Sequence, residues 1–230
     1  MVVKSFRNID LYFTNGLGEL ATLQHYHELV ERELPAIIAA RGLPAWNGKG
    51  PTPGRIAIAQ IYQMIVDDML PMVLRGPLLI SLWSIYESSL IEMAEFLRVP
   101  ANLSFGLVDR KLPKHIKPPP VGIISRGLYI YETELGLNLF VNQQEEQQIR
   151  GLYGLRNILA HAGGRRRSSV STDWNRVKAW ASQESGVQMS RDRIWVEAEF
   201  VRVQIERVQS ATSHIVQQVR QKIQELGIAD

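Results

Sequence analysis

Residues 154–167, "GLRNILAHAGGRRR", set Arg156, Asn157 and His161 within six positions and follow them with two glycines and three arginines. On a helix, Asn157 and His161 share one face, being four residues apart. Arg156 is turned by about 100° from Asn157 but is long enough to lean back onto it. Three polar tips then converge on one small volume. A histidine in the last helical turn meets the negative end of the helix dipole, which favours the imidazolium and suits it to protonate a leaving group. A guanidinium beside it suits a phosphate whose transition state accumulates negative charge. No cluster of carboxylates accompanies the triplet to hold magnesium, so phosphate chemistry here is expected to run without a metal. The dipole also favours arginine and histidine at any helix C-terminus, so the residue types alone leave a purely structural capping role open.

The elements that must position these side chains are read from hydrophobic periodicity. One helical stretch covers about residues 18–41 and ends near Gly42, ahead of the loop "GLPAWNGKGPTPG". A second begins near Arg55 and runs through "IAIAQIYQMIVDDML" until Pro71 and the "RGP" at 75–77 kink or stop it. A further helix is expected to start at Pro77. Its residues Leu79, Leu82, Trp83, Tyr86, Leu90, Met93 and Leu97 form one apolar stripe, with Glu87, Glu92 and Glu95 on the other face.

The proline-rich segment 100–122 reads as a loop, followed by a shorter helix in "IISRGLYIYETELGL". In the motif helix Asn142 is the expected N-cap, with Glu145 and Glu146 in the first turns. Ile149, Leu152, Leu155 and Leu159 are its stripe, and Gly163 closes it, so His161 falls in the final turn. "WNRVKAW" reads as a short helical piece, "GVQMSRDRIWVEAEF" as two brief strands around a turn, and 198–226 as a long amphipathic helix with Val208, Ala211, Ile215, Val219 and Ile223 inward. Helices with one apolar stripe each bury those stripes against one another. The expected fold is therefore all-α: one domain over 1–230, an antiparallel bundle of four to five core helices with a small β-hairpin before the C-terminal helix. Residues 1–54 form its N-terminal helix and loop, and 55–226 its core.

Composition narrows the chemistry further. The 230 residues are 45% hydrophobic and carry a formal charge of +3, enough chain for a substantial core. There is no cysteine, which excludes disulfides, thiolate zinc sites and cysteine nucleophiles and fits a reducing compartment. "MVVKSFRNIDLYFTNG" has no uninterrupted apolar stretch of the secretory kind, and "MLPMVLRGPLLISLW" is too broken by proline, glycine and arginine to span a membrane. A cytoplasmic protein without a membrane partner or cofactor is expected.

Arg165, Arg166 and Arg167 concentrate positive charge on a glycine-flexible segment beside the triplet. There they either track an RNA backbone or form a solvated loop. Trp174 and Trp180 read as packing anchors ahead of base-stacking residues. His25 and His27, two apart, with Glu28, have poor spacing for a metal, and His115 and His214 have no evident partner.

"LRNILAHAGG" resembles the signature of the HEPN superfamily, an R-N-x-x-x-H motif near the end of a late bundle helix. "SLWSIYESSLIEMAEFL" is similar to the acidic second core helix of such proteins, and "GIISRGLYIYETELGLNL" to the helix before the motif. The hairpin-like "GVQMSRDRIWVEAEF" feeding a final helix resembles the larger abortive-infection and ribonuclease members. The resemblance covers roughly residues 55–226.

It implies a metal-independent endoribonuclease, of toxin or antiviral role, in which two protomers pair their motif helices into one composite cleft. Arg156 would stabilise the scissile phosphate, and His161 would transfer a proton. Asn157 would orient the histidine or hold the phosphate, while Glu87 would support His161 or Arg156. RNA would be the substrate, a second copy of the chain the partner, and an antitoxin or regulatory protein a further one. A non-catalytic HEPN domain that binds RNA, a nucleotide or a partner protein is the alternative. HEPN toxins modified by a partner nucleotidyltransferase resemble R-x4-H-x-Y; here Gly163 stands where that tyrosine would be.

Overall fold

The computed structural model describes residues 7–40, 60–61, 69–117 and 119–228, with side chains at all of these except 7–14 and 39–40. The loop expected over 42–54, and nearly all of the helix expected from Arg55, lie outside the described residues. In chain order the elements are α1 (Arg7–Ala40), α2 (Leu70–Arg98), α3 (Ile123–Leu128), which passes into a π-helical turn (Tyr129–Glu134), and α4 (Gln143–Ala162). A 3₁₀ turn (Ser168–Val170), α5 (Ser171–Ala181), β1 (Val187–Met189), β2 (Ile194–Val196) and α6 (Ala198–Glu225) complete the order. The fold is mostly α, with one two-stranded antiparallel hairpin before the C-terminal helix, in the register Val187↔Val196, Gln188↔Trp195 and Met189↔Ile194.

The chain groups into two compact units. One comprises Met1–Thr22, Leu82–Arg150 and Ile205–Asp230, the other Leu23–Ser81 and Gly151–Gln204. In the first unit the expected stripes are inward. Leu82, Trp83, Tyr86, Leu90, Met93 and Leu97 of α2 are buried, as are Val208, Ala211, Ile215, Val219 and Ile223 of α6. Tyr131, buried in the π turn, donates its hydroxyl to the Leu90 carbonyl at 2.7 Å. A buried phenol thus meets the polar partner it needs.

Two boundaries differ from the periodic reading. α1 begins at Arg7, well before residue 18. Gly16 and Gly18 dilute the apolar signal there, yet Gly16 has a packing role, because a Cβ on it would lie 2.8 Å from the Ser89 hydroxyl. The second correction concerns Pro77, which does not start a new helix: α2 is continuous from Leu70 to Arg98, with Pro77 inside it.

Pro71 lies in the first turn of α2, just after the π-helical Met69. Pro77 forgoes a helical bond, at about 3 kcal/mol, and packing in the second unit outweighs it. Leu78 and Leu79 are buried directly after it, each such side chain contributing about 1.5–3 kcal/mol. The preceding turn is clamped by Arg75, whose Nε and Nη2 reach the Glu31 carboxylate at 2.7 Å each while Nη1 donates to the Val196 carbonyl at 3.0 Å. That bidentate pair ties α2 to α1, and the third bond ties it to β2.

His27 lies beside this clamp, 5% exposed, its Nε2 3.9 Å from the Glu31 carboxylate, and that nitrogen has no hydrogen-bond partner among the described residues. Burial lowers its pKa from the ordinary 6.5, and Arg75 adds to the effect. Glu31, the Ala198 backbone and Glu28 oppose it. A histidine held neutral in the folded state leaves the unfolded chain binding the extra proton as pH falls below 6.5. The urea midpoint is therefore expected to drop between pH 7 and pH 5, and His27→Gln to flatten that slope. Equal slopes for the two proteins would contradict this assignment.

Candidate active site

α4 carries the motif, and its two ends are closed by local chemistry. At the start, Asn142 Oδ1 accepts the Glu145 N–H at 2.9 Å, the expected N-cap, and the Glu145 carboxylate accepts the Val141 N–H at 2.7 Å. At the end, Gly163 and Gly164 adopt φ of 57° and 74°. The Gly163 N–H bonds the Leu159 carbonyl at 3.0 Å and the Gly164 N–H the Ile158 carbonyl at 3.3 Å. Left-handed glycines are what allow these closing bonds. His161 therefore lies in the final turn of α4, exposed to solvent.

α5 approaches α4 closely because α4 presents glycine. A Cβ on Gly151 would stand 2.2 Å from the Trp180 ring, and one on Gly154 would stand 2.8 Å from Val177. One turn further along the same face comes Asn157, and the first turn of α5 brings Asp173 to it. Asn157 Nδ2 donates to Asp173 Oδ2 at 3.2 Å, and its Oδ1 accepts Arg156 Nη1 at 3.1 Å. The amide orientation is thereby defined, with its oxygen toward the guanidinium and its nitrogen toward the carboxylate. Asp173 also pairs with Arg176 at 3.5 Å. Arg156 is half-buried, and its Nε has no hydrogen-bond partner among the described residues. That nitrogen is itself buried, and a buried N–H without a partner is costly; the guanidinium as a whole is chemically suited to an anionic oxygen.

The structure thus joins Arg156 to Asn157, extends the pair to Asp173, and sets His161 one turn beyond. Asp173 was not singled out in sequence. It lies sixteen residues after Asn157 on another helix, and the usable signal was the Gly151 and Gly154 pair that admits that helix. Glu87 accepts a 2.9 Å hydrogen bond from Trp83 Nε1 on its own helix. This accounts for a half-buried carboxylate next to a buried indole.

The three arginines after the motif are exposed, but the segment carrying them is not free. The expectation of a glycine-flexible run is corrected by its backbone pairing. Ile194 N–H bonds the Gly164 carbonyl at 2.9 Å, Arg166 N–H bonds the Asp192 carbonyl at 2.8 Å, and Arg165 bridges Arg193 in antiparallel fashion. The positive-φ glycines turn the chain onto the hairpin, where its polar backbone groups find partners.

Trp174 and Trp180 are buried, as packing anchors should be, with Trp180 edge-on to Phe200 at 5.7 Å between centroids. His214 bonds the Asn138 carbonyl at 3.1 Å. Among the described residues no three His, Asp or Glu side chains are grouped to hold a metal ion, and no helix is long and apolar enough to cross a membrane. Comparison of the chain with known protein families, with characterised proteins and with solved structures finds no match.

Proposed function

We propose that this protein is a metal-independent endoribonuclease of HEPN type, acting in the cytoplasm as a toxin or antiviral effector. The observation that carries the reading is the cluster at the glycine-closed end of α4: a guanidinium with an unsatisfied N–H, linked through Asn157 to Asp173, with an exposed imidazole one turn on. Arg156 binds the scissile phosphate and meets the charge that develops on its oxygens. Asn157, held by Arg156 and Asp173, fixes the guanidinium's direction. The substrate's 2′-hydroxyl loses its proton to a base and attacks phosphorus, the P–O5′ bond breaks, and the departing 5′-oxygen takes a proton from an acid. The products are a 2′,3′-cyclic phosphate and a 5′-hydroxyl end.

His161 is suited to either proton transfer, and two copies of the chain supply both an acid and a base when their α4 ends face each other. The exposed Arg165, Arg166 and Arg167 lie along the approach to that cleft, so RNA affinity falls as salt rises. A regulatory or antitoxin protein would then act by covering this end of α4.

The test is incubation of the purified protein with total cellular RNA in EDTA, with mapping of the cut ends. Cleavage that persists in EDTA, yields cyclic phosphate ends and spares the same sequence as DNA is the expected result. Cleavage abolished by EDTA, or equal cutting of DNA, excludes this mechanism.

A further inference from the structure

A cavity of about 300 Å³ opens in the second unit where the first turns of α2, the end of α4 and β2 meet. That volume is at the small end of ligand clefts. Met72, Ile80, Leu159, Ile194 and Trp195 give it apolar walls, and the only charged residues among those lining it are Arg165 and Arg193. These two stand directly opposite each other across the antiparallel bridge. Like charges so placed repel, and neither guanidinium has a carboxylate partner among the described residues. The Arg193 guanidinium lies 5.2 Å over the Trp195 ring, which presents its charge beside the apolar wall.

Apolar walls and two guanidiniums across one bridge, with no carboxylate partner among the described residues, define the chemistry of an occupant. An anionic head between Arg165 and Arg193 removes their repulsion and accepts charge-assisted hydrogen bonds from both. An aliphatic body fits the methionine, leucine and isoleucine walls. A nucleobase fits them poorly, since these side chains offer nothing to its hydrogen-bonding edges. We infer that the cavity binds a small amphipathic anion, with an aliphatic chain against Met72, Ile80 and Leu159 and a carboxylate or phosphate head on Arg165 and Arg193. Leu159 and Gly163, both in the lining, bracket His161. If the ribonuclease reading holds, an occupant packs against the turn that carries the proton-transfer group. Binding itself is independent of that reading.

The full, unsubstituted chain is titrated calorimetrically with decanoate, decyl phosphate, decanol, inorganic phosphate and adenosine monophosphate. Ligands are kept below their aggregation concentrations. One decanoate or decyl phosphate is expected per chain, with decanol at least about tenfold weaker because it lacks the charge-assisted bonds. Whichever anion binds more tightly names the head group. Arg193→Gln is expected to weaken the anion about tenfold and to leave decanol unchanged.

In Gly76→Leu the new Cβ meets Leu159 at an ordinary 3.8 Å, and the rest of the side chain fills the cavity. Binding is expected to vanish while the melting curve is kept. Should that variant unfold, Arg193→Gln carries the test. Decanol binding as tightly as decanoate overturns the inference. So does tighter binding of phosphate or the nucleotide, a stoichiometry well above one, or no binding by either amphiphile. A protein that binds decanoate yet cuts no RNA keeps this inference and loses the ribonuclease reading.

Discussion

His161→Ala is expected to slow RNA cleavage by about 10²–10⁴-fold, the usual contribution of a positioned proton-transfer group, with no change in melting temperature. The second half of that expectation follows from exposure: the ring lies in solvent at the end of α4, and exposed side chains removed there rarely shift stability by more than about 0.5 kcal/mol. Arg156→Ala should slow cleavage comparably, by removing the proposed phosphate ligand. Asp173→Asn should act less strongly, because Asp173 contacts Asn157 and only Asn157 in turn contacts Arg156.

Kinetics separate these roles. Loss of the imidazole should lower kcat, the chemical step, whereas Asp173→Asn should lower it only in part. Mixing His161→Ala with Arg156→Ala protein adds a readout for the composite cleft, since mixed dimers can regain one intact set of groups. A His161→Ala protein as active as the parent would remove the mechanism altogether.

Gly151→Ala is expected to be strongly destabilising. Its Cβ would fall 2.2 Å from one ring atom of Trp180 and 2.4 Å from another, well inside van der Waals contact. The indole cannot easily retreat, being buried and edge-on to Phe200. Alanine gains about 1 kcal/mol of helix propensity over glycine, and the overpacking opposes it by about 1–3 kcal/mol or more. At 2.2 Å the upper end applies, so α5 must separate from α4 or the protein must unfold. Out of a total stability of about 5–15 kcal/mol, a net loss near 2 kcal/mol lowers the melting temperature by about 4–8 °C.

Gly18→Ala is the control. Nothing lies within 4 Å of its Cβ position, so the same substitution there should raise stability slightly. Because α5 carries Asp173 to Asn157, Gly151→Ala should also blunt cleavage even in the folded fraction. A Gly151→Ala protein that melts like Gly18→Ala would contradict the close approach of the two helices.

Residues whose neighbours in space are also neighbours in sequence were legible. The α2 and α6 stripes, the Asn142 cap, the Gly163 stop and the placing of His161 in the last turn all follow from three- and four-residue spacing or from a single backbone angle. Helical continuity at Pro77 was not legible, because it depends on Arg75 reaching Glu31, forty-four residues away in sequence. The same holds at the site. Arg156 and Asn157 announce themselves by adjacency, whereas Asp173 arrives on a separate helix, and the Gly151 and Gly154 pair signals only that some helix packs there, not which residue it brings. The π-helical turn at Tyr129–Glu134 likewise has no signature beyond ordinary helical periodicity.

The pairing of Gly164 and Arg166 with the hairpin bears on how a polyanion would be captured. A free arginine tail must be ordered by its ligand, at about 1–2 kcal/mol of backbone entropy for each residue immobilised. Here that ordering is already complete when the chain folds. The backbone under the three cations is preset, so a polyanion held there would have only the exposed side chains left to order.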